Sequence, residues 1–490
     1  LLAASAFGEN PSEPLGDAAG ALSMPSAYKS APSADSRESV STSVATDAAW
    51  WSVFHDPALD RLEEQAVAAN SDLRLAVDRV EEARSRDRAA AAGLLPQVSV
   101  PLLASRQHTT NTGPVTTSRL IGGGFGAGFP DSFQGQALEN TYSDYQVPLV
   151  VGYEVDVFGR IRHARGQARA EAEASQADRQ SVKLSLTSQV ATTYFALRAA
   201  DSAVAVLQRT AQLRGDSVQI QQNRLKGGAA SDVDFLRARV EQSNTEADLA
   251  DAAEDRAELE NALAVLCGEP ASDFHIAAQP LDQERLPAVP VTIPAQLLSQ
   301  RPDLVEAERR IVAAGEGVQV ARAEFYPVFN VQAGVGFESS QDNQLLENQS
   351  HTWSIAGAIN IPIFNGGRSA ADLKAARARK EEAFDAYRQA ALVALREVED
   401  ALSNLRSRAG QADARKRAVA DARSVFSATQ HSYGEGGLTY FEVIDSQRVL
   451  LSAELAAVRT LNARYAATVD LIRATGGAFD AGSAGSSGGH

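Results

Sequence analysis

A single cysteine, Cys267, is all the thiol this 490-residue chain has, so neither an internal disulfide nor a thiolate metal site can be built within one copy. Methionine is almost absent too, Met24 standing alone, and aromatics make up only 6%. With Ala crowding most helical stretches, that scarcity suits long, closely packed helices better than a bulky globular core. Basic charge is also short. The formal net charge is −16, and no Lys/Arg cluster offers the positive surface that phosphate binding requires, which excludes a general nucleic-acid binder. No run reaches the roughly 18 consecutive apolar residues of a membrane-spanning helix, so any membrane crossing has to be made of strands.

Signatures of catalysis are missing as well. His55, His108, His163, His275, His351 and His431 stand apart, with no second His or Cys at helical ligand spacing, so no metal motif emerges. There is no Gly-x-Ser-x-Gly elbow and no Walker loop. The stretch Gly122 to Gly128 is glycine-rich, but its spacing is wrong for a phosphate cradle and no helix follows, so it reads as a solvent-facing loop. Acidic pairs such as Glu81–Glu82 and Glu397/Glu399 read as solvated charges on helix faces. The expectation is a protein that is not an enzyme, with no cofactor and no metal.

What the sequence does have is itself, twice. Asp72 to Val100 returns as Asp303 to Val331, with Asp72/Asp303, Arg79/Arg310, Ala83/Ala314 and Pro96/Pro327 at one constant offset. Val155-Asp156-Val157-Phe158-Gly159-Arg160 returns as Ile361-Pro362-Ile363-Phe364 and, after two extra loop residues, Arg368. Lys226-Gly227-Gly228 aligns with Glu435-Gly436-Gly437, and the same offset puts Arg239 on Arg448. Each half reads helix, strand, strand, long helix, Gly turn, helix. The strands alternate cleanly, as a sheet with one apolar and one polar face does: Val98, Val100 and Leu102; Val147, Leu149, Val151 and Tyr153; Phe329, Val331, Val335 and Phe337; Trp353, Ile355, Ile359 and Ile361. Each is about the ten residues that a tilted strand needs to cross a bilayer. One such strand alone reads as ordinary half-buried sheet; four of them, paired and repeated within a helical chain, favour a membrane barrel.

Between the strands lie helices long enough to form walls. Arg160 to Leu225 holds no proline and as helix would reach roughly 100 Å. Val190, Tyr194, Leu197, Val204 and Leu207, and in the other half Leu392, Leu395, Val398, Leu402 and Leu405, recur at coiled-coil spacing. One polar group stands out. After Gly436–Gly437, residues Glu442, Asp445 and Arg448 follow at steps of three on one helix face, with Phe441 one turn before Asp445. Spacing alone favours an intrahelical ion-pair ladder worth about a few tenths of a kcal/mol. The first repeat, however, has Asp232, Val233, Leu236 and Arg239 at the equivalent places, so the acidic pair exists only once, which argues for a functional role.

The expected layout is an extended arm (1–49), a first repeat (50–267) with helices 57–93 and 159–267 and strands about 97–107 and 145–158, and a proline-rich linker (268–293). A second repeat (294–477) follows, with helices 303–325 and 368–475 and strands about 328–339 and 352–364, then a flexible tail (478–490). A polar, glycine-rich loop runs from His108 to about Asn140, and the start, Leu1 to Gly8, reads as the end of a processed signal region.

The motifs Trp50-Trp51-Ser52-Val53-Phe54-His55-Asp56-Pro57, Tyr153-Glu154-Val155-Asp156-Val157-Phe158-Gly159-Arg160, Arg301-Pro302-Asp303-Leu304, Phe325-Tyr326-Pro327, Ile361-Pro362-Ile363-Phe364 and Asp445-Ser446-Gln447-Arg448 together resemble one family. From about Trp50 to Gly477 the chain is similar to the TolC-like outer-membrane efflux factors, in the OprM/NodT branch that partners resistance-nodulation-division pumps. The resemblance implies a mainly α fold with a transmembrane β-barrel: a homotrimer giving four strands per chain to a shared 12-stranded barrel and long helices to a periplasmic tunnel. It implies an outer-membrane exit duct passing drugs or other small molecules, with a periplasmic adaptor (membrane fusion protein), an inner-membrane transporter of the resistance-nodulation-division class and outer-membrane lipid as partners. By the same resemblance Asp445 and Arg448 line a periplasmic constriction, Phe441 plugs it, and Glu442 falls where some relatives carry a second acidic ring residue. The adaptor would meet the hairpin tips, Gly227, Gly228, Ala229, Ala230 and Ser231 in one and Gly436, Gly437, Leu438, Thr439 and Tyr440 in the other. Ser5 stands where branch members carry an acylated cysteine, a former lipidation position. The alternatives are the exit duct of a type I protein-secretion system and, from another class, a trimeric coiled-coil surface fibre.

Overall fold

The computed structural model describes residues 28–29, 49–108, 141–228, 230–281, 286–287 and 300–477. Ser5, Ala229, most of the expected arm, nearly all of the loop after His108, the later part of the linker and the tail lie outside the described residues. After a short 3-10 turn at Trp50–Phe54 come helices α1 (Pro57–Ala69) and α2 (Ser71–Ala92) and strands β1 (Gln97–Ser99), β2 (Leu103–His108) and β3 (Thr141–Val155). Helices α3 (Arg160–Lys226), α4 (Asp232–Leu266) and α5 (Pro302–Ala323) precede β4 (Val328–Ser339), β5 (His351–Asn360), α6 (Arg368–Gly434) and α7 (Tyr440–Ala474). Two compact units divide the chain: Leu1–Glu81, Glu173–Arg309 and Phe384–His490 make one, Glu82–Ala172 and Arg310–Ala383 the other. Each unit draws on both sequence repeats.

The first unit is a helical packing problem solved around aromatic rings. Asp56 caps α1 by accepting from the amides of Ala58 and Leu59, with Pro57 in the first turn where its missing N–H costs nothing. Its other carboxylate oxygen takes the Tyr194 hydroxyl at 2.9 Å, and the Trp50 indole donates to Thr187 at 3.0 Å. Phe195 then stacks on Tyr465 with centroids 4.2 Å apart and meets Phe54 at 4.8 Å in a tilted contact, which ties α3 to α7. The Trp-Trp segment is therefore a core plug. One 18-residue window of α3 is apolar enough to cross a membrane by length and composition, and half of it is buried; Val190, Ala191, Tyr194 and Leu197 of α3 are core residues here.

The expected helix 57–93 is two helices. Asn70 is extended and caps α2, its Oδ1 accepting from Asp72 and Leu73 while its amide nitrogen donates to the Leu266 carbonyl at 3.0 Å. In the second repeat Arg301 takes that place, donating to the Ala474 carbonyl at 3.1 Å and bridging Asp303 and Glu397 at 2.7 and 2.8 Å. Gly268 (φ 71) and Gly476 (φ 90) are likewise matched: a Cβ at either would lie within 2.8 Å of a carbonyl oxygen, that of Ala69 or of Gln300.

The second unit carries the sheet, in the antiparallel order β1-β3-β4-β5 with β2 also on β3. β1 and β2 continue one register, Gln97 facing Gly152 and Leu103 facing Gln146, so they are one strand broken at Val100–Leu102. The break has a cause: that register sets Pro101 opposite Pro148, and neither proline has an N–H to give. On its other side Pro148 faces Gly336, where a Cβ would lie 2.3 Å from the Val147 oxygen and 2.5 Å from the Pro148 Cα, so only glycine fits. The expected strand 145–158 starts earlier, at Thr141, because Thr141 to Asp144 pair with Ser105 to His108; polar strand ends give no apolar alternation to read. The expected strand 352–364 stops at Asn360, whose partner Val328 begins β4.

One core residue defies the pattern. Glu63 is fully buried, and neither of its carboxylate oxygens has a hydrogen-bond partner among the described residues. Burial, reinforced by Asp60, raises its pKa well above the carboxylate range, and burial with Glu63 and Glu269 pushes the Cys267 thiol up to about 12. A carboxyl whose folded pKa exceeds its unfolded one contributes most below the unfolded value; stability falls as pH rises towards the folded value and stays reduced above it. Glu63→Leu is expected to raise the melting temperature more at pH 8 than at pH 5. Equal gains at both would show that Glu63 is not protonated in the native protein.

Candidate functional site

Two features of the structure ask for an explanation beyond packing. The first is the outward apolar face of the sheet. Val98, Leu102, Trp353, Ile355 and Ile359 are 61 to 75% exposed, and cross-strand pairs such as Leu149 with Val335 and Val335 with Trp353 join them into one surface. The opposite face pairs Gly152 with Gln97 and Gln332, Gly334 with Ser354, and Gln146 with Glu338. A contiguous exposed apolar patch of this kind is a membrane or partner surface. At its helix end Asp156 caps α3 by accepting from Ile161 and Arg162, Arg160 forks onto Glu154 at 2.8 to 3.1 Å, and Phe158 stacks on Tyr326 with centroids 4.5 Å apart. The strand-to-helix motif is thus a joint.

The second feature is the pair of hairpin ends, α3–α4 and α6–α7. Gly228 (φ 72) and Gly436 (φ 82) turn the chain in the left-handed region, Ser231 caps α4 through the Asp234 amide, and Thr439 caps α7. Ala238, Tyr440, Val443 and Ile444 form a small core, packed by Val218, Phe426 and Tyr433. Tyr440, expected as an adaptor contact, is only 5% exposed; it belongs to that core, since a tyrosine in the first turn of α7 faces the neighbouring helices. Leu438, by contrast, is exposed.

The four expected gate residues are not one cluster. Glu442 completes a capping box, its carboxylate accepting from the Thr439 amide at 2.9 Å and from the Thr439 hydroxyl; that hydroxyl bond holds its pKa below the usual value. Asp445 is exposed and makes no hydrogen bond or ion pair among the described residues. Phe441 is half-exposed beneath the Arg237 guanidinium, 5.6 Å from the ring centroid. Arg448 reaches away from its own helix to Glu241 on α4, with Nε 3.0 Å from Oε1, and that bond raises its pKa. The intrahelical ladder is therefore not formed. Glu241 and its second partner Arg214, 3.1 Å away and also bonded to the Glu241 carbonyl and Thr245, carry no sequence signal beyond helical placement. Burial lowers the Arg214 pKa, against the pull of Glu241. Among the described residues no group of three His, Cys, Asp or Glu gathers as a metal site would require.

The sequence matches the outer membrane efflux protein family over residues 62–269 and 293–477. The chain belongs to that family. It is 31% identical over 426 residues to the solvent efflux pump outer membrane protein SrpC of Pseudomonas putida, covering 87% of this chain and 86% of that one. It is 30% identical over 435 residues to the pyoverdine export outer membrane protein OpmQ of Pseudomonas putida, covering 89% of each. The solved structure of the outer-membrane channel OprN superposes with a TM-score of 0.79 at 26% identity, covering 93% of this chain and 98% of that one. This efflux family member is an outer-membrane channel component of pumps, with strands for the membrane and long helices for the periplasm. The fold is the TolC-like one, mainly helical with barrel strands.

The two ion pairs on Glu241 differ in kind. The Arg214 side chain is 5% exposed and that of Arg448 55%. Removing the buried partner, Arg214→Ala, is expected to cost roughly 3 kcal/mol, whereas Arg448→Ala costs about 1 kcal/mol or less. Amide exchange across 232–245 measures both; equal losses would mean that burial does not set the strength of these pairs.

Proposed function

We propose that this chain is the exit duct of a tripartite efflux pump, a homotrimer passing small molecules passively from a periplasmic pump–adaptor complex to the exterior. The observation that carries this reading is a sheet with an apolar outer face and two edges, β1/β2 and β5, that have no further strand among the described residues. Open edges cannot stand in hydrocarbon, where each unpaired amide costs several kcal/mol. Four strands are too few to close, since bilayer barrels begin at about eight, and three copies supply about twelve.

The adaptor partner would seat on the hairpin tips, at Gly227, Gly228, Ala230, Ser231, Gly436, Gly437, Leu438 and Thr439, and an inner-membrane transporter of the resistance-nodulation-division class would feed the duct. The relatives named for solvent efflux and for pyoverdine export are about equally similar to this chain, which fits cargo choice by the pump. Asp445 and Arg448 are the gate: three exposed Asp445 side chains around one axis, restrained by Arg448 holding each α7 to its neighbouring α4. Phe441 narrows the same level. Adaptor docking opens the end by binding the open arrangement more tightly, the only way a partner shifts such an equilibrium.

Light scattering of the detergent-solubilised protein is expected to give a trimer; a monodisperse monomer would overturn the architecture. In planar bilayers, Asp445→Ala with Arg448→Ala is expected to raise single-channel conductance while the trimer stays assembled. An assembled double variant conducting like the parent would remove the gate and leave the duct.

A further inference from the structure

Two carboxylates near the hairpin ends are each held between two arginines, and in both cases one arginine comes from the same hairpin and one from the other. Glu241 on α4 gives Oε2 to Arg214 of its own hairpin at 3.1 Å and Oε1 to Arg448 of the other. Glu454 on α7 gives Oε1 to Arg423 of its own hairpin and Oε2 to Arg209 of the other, both at 2.7 Å. Both carboxylates are nearly buried, with side chains 6 and 10% exposed, while Arg209 and Arg448 are 57 and 55% exposed.

The internal repeat separates the two classes of contact. Arg214 reaches Thr245 and Arg423 reaches Glu454, each over the same span of 31 residues across its own Gly turn; a staple of this kind within a hairpin is built twice. The contacts between hairpins are built once. With the helix ends matched, Arg160 to Arg368 and Leu266 to Ala474, Glu241 and Arg448 correspond to Val449 and Val240, which carry no charge, while Arg209 and Glu454 correspond to Arg417 and Glu246, which form no ion pair with one another among the described residues.

We propose that Arg209 and Glu454 form a second latch between the hairpins, about 9 Å along α7 from the Arg448–Glu241 pair, and that Arg214 and Arg423 are staples that keep both carboxylates paired when the latches part. The inference rests on the gate reading above. If α6–α7 moves against α3–α4, every contact between hairpins breaks and every contact within one travels along. Glu241 and Glu454 then keep one arginine each, so no buried charge is stranded, and the released Arg209 and Arg448 enter water. The latch is therefore cheap to open and reversible, which two buried pairs without staples would not be.

The test is single-channel recording of the full-length protein with Arg209→Ala, Arg209→Lys, Glu454→Gln, Arg209→Ala/Glu454→Gln and, separately, Arg448→Ala. Arg209→Ala is expected to raise the open-to-closed ratio about 1.5- to 5-fold per chain, compounding over three copies to roughly 3- to 100-fold, with the melting temperature of the assembly unchanged. Arg209→Lys is expected to gate like the parent, and the Arg209→Ala/Glu454→Gln double to open no further than the more open of its two singles. If Arg448→Ala opens the channel and Arg209→Ala does not, the gate stands and the second latch is wrong. If neither opens it, the gate reading fails and takes the latch with it. Loss of assembly in Arg209→Ala, with Arg209→Lys restoring assembly but leaving gating unaltered, would make the pair a scaffold contact and overturn the proposal.

Discussion

In hydrocarbon a backbone amide has no partner except another backbone group, and most of what is unusual in this chain answers that constraint. An α-helix meets it alone; a strand meets it only through its neighbours. The antiparallel ladder from β1 through β5 satisfies the interior strands, and its exceptions are managed locally: two prolines face each other where neither could donate, and Gly336 accepts the close approach of Pro148. The alternation then does the rest. Every residue that faces outward is paired with one that also faces outward, so the lipid face and the polar face are fixed by the same register.

The helical unit faces the opposite problem, because its packed interior must hold charge. Arg198, Asp201 and Arg256 form one network, with Asp201 within 3.1 Å of both arginines; Arg301 with Asp303 and Glu397 forms another. In each, an arginine also donates to a backbone carbonyl, which is what makes a buried pair tolerable: the desolvation of two ions is offset only when their remaining hydrogen-bonding capacity is used. Glu63 has no such partner among the described residues, and its burial raises its pKa and so favours the neutral carboxyl.

Much of this is legible in the sequence. Apolar alternation marked the four strands because lipid on one side and water on the other impose a period of two, and the Gly turns marked the hairpin ends because only glycine enters the left-handed region freely. What alternation could not mark was where a strand continues as polar residues, hence the missed start at Thr141, or where a proline interrupts it, hence the break at Pro101. Asn70 did not read as a helix boundary because its cap is made by a side chain turning back on the next helix. The contacts of the gate group are illegible for a different reason. Steps of three along α7 describe only neighbours on one helix, while the partner of Arg448 lies 207 residues away, a distance over which charge spacing carries no information.

The repeat supplies some of that missing long-range information. Where the two copies make the same contact from different residues, as Asn70 and Arg301 do on the last carbonyl of a long helix, the requirement is geometric and belongs to the scaffold. Where each places an arginine in a contact of the same span within its own hairpin, as with Arg214 and Arg423, the requirement is chemical as well. Where only one copy has the acid at all, as with Glu241 and Asp445, which stand opposite Val449 and Arg237 in the other repeat, the scaffold manages without it in the other half. Such positions are where a function that two equivalent hairpins could not share has to reside, because a movement of one hairpin against the other needs contacts that tell them apart.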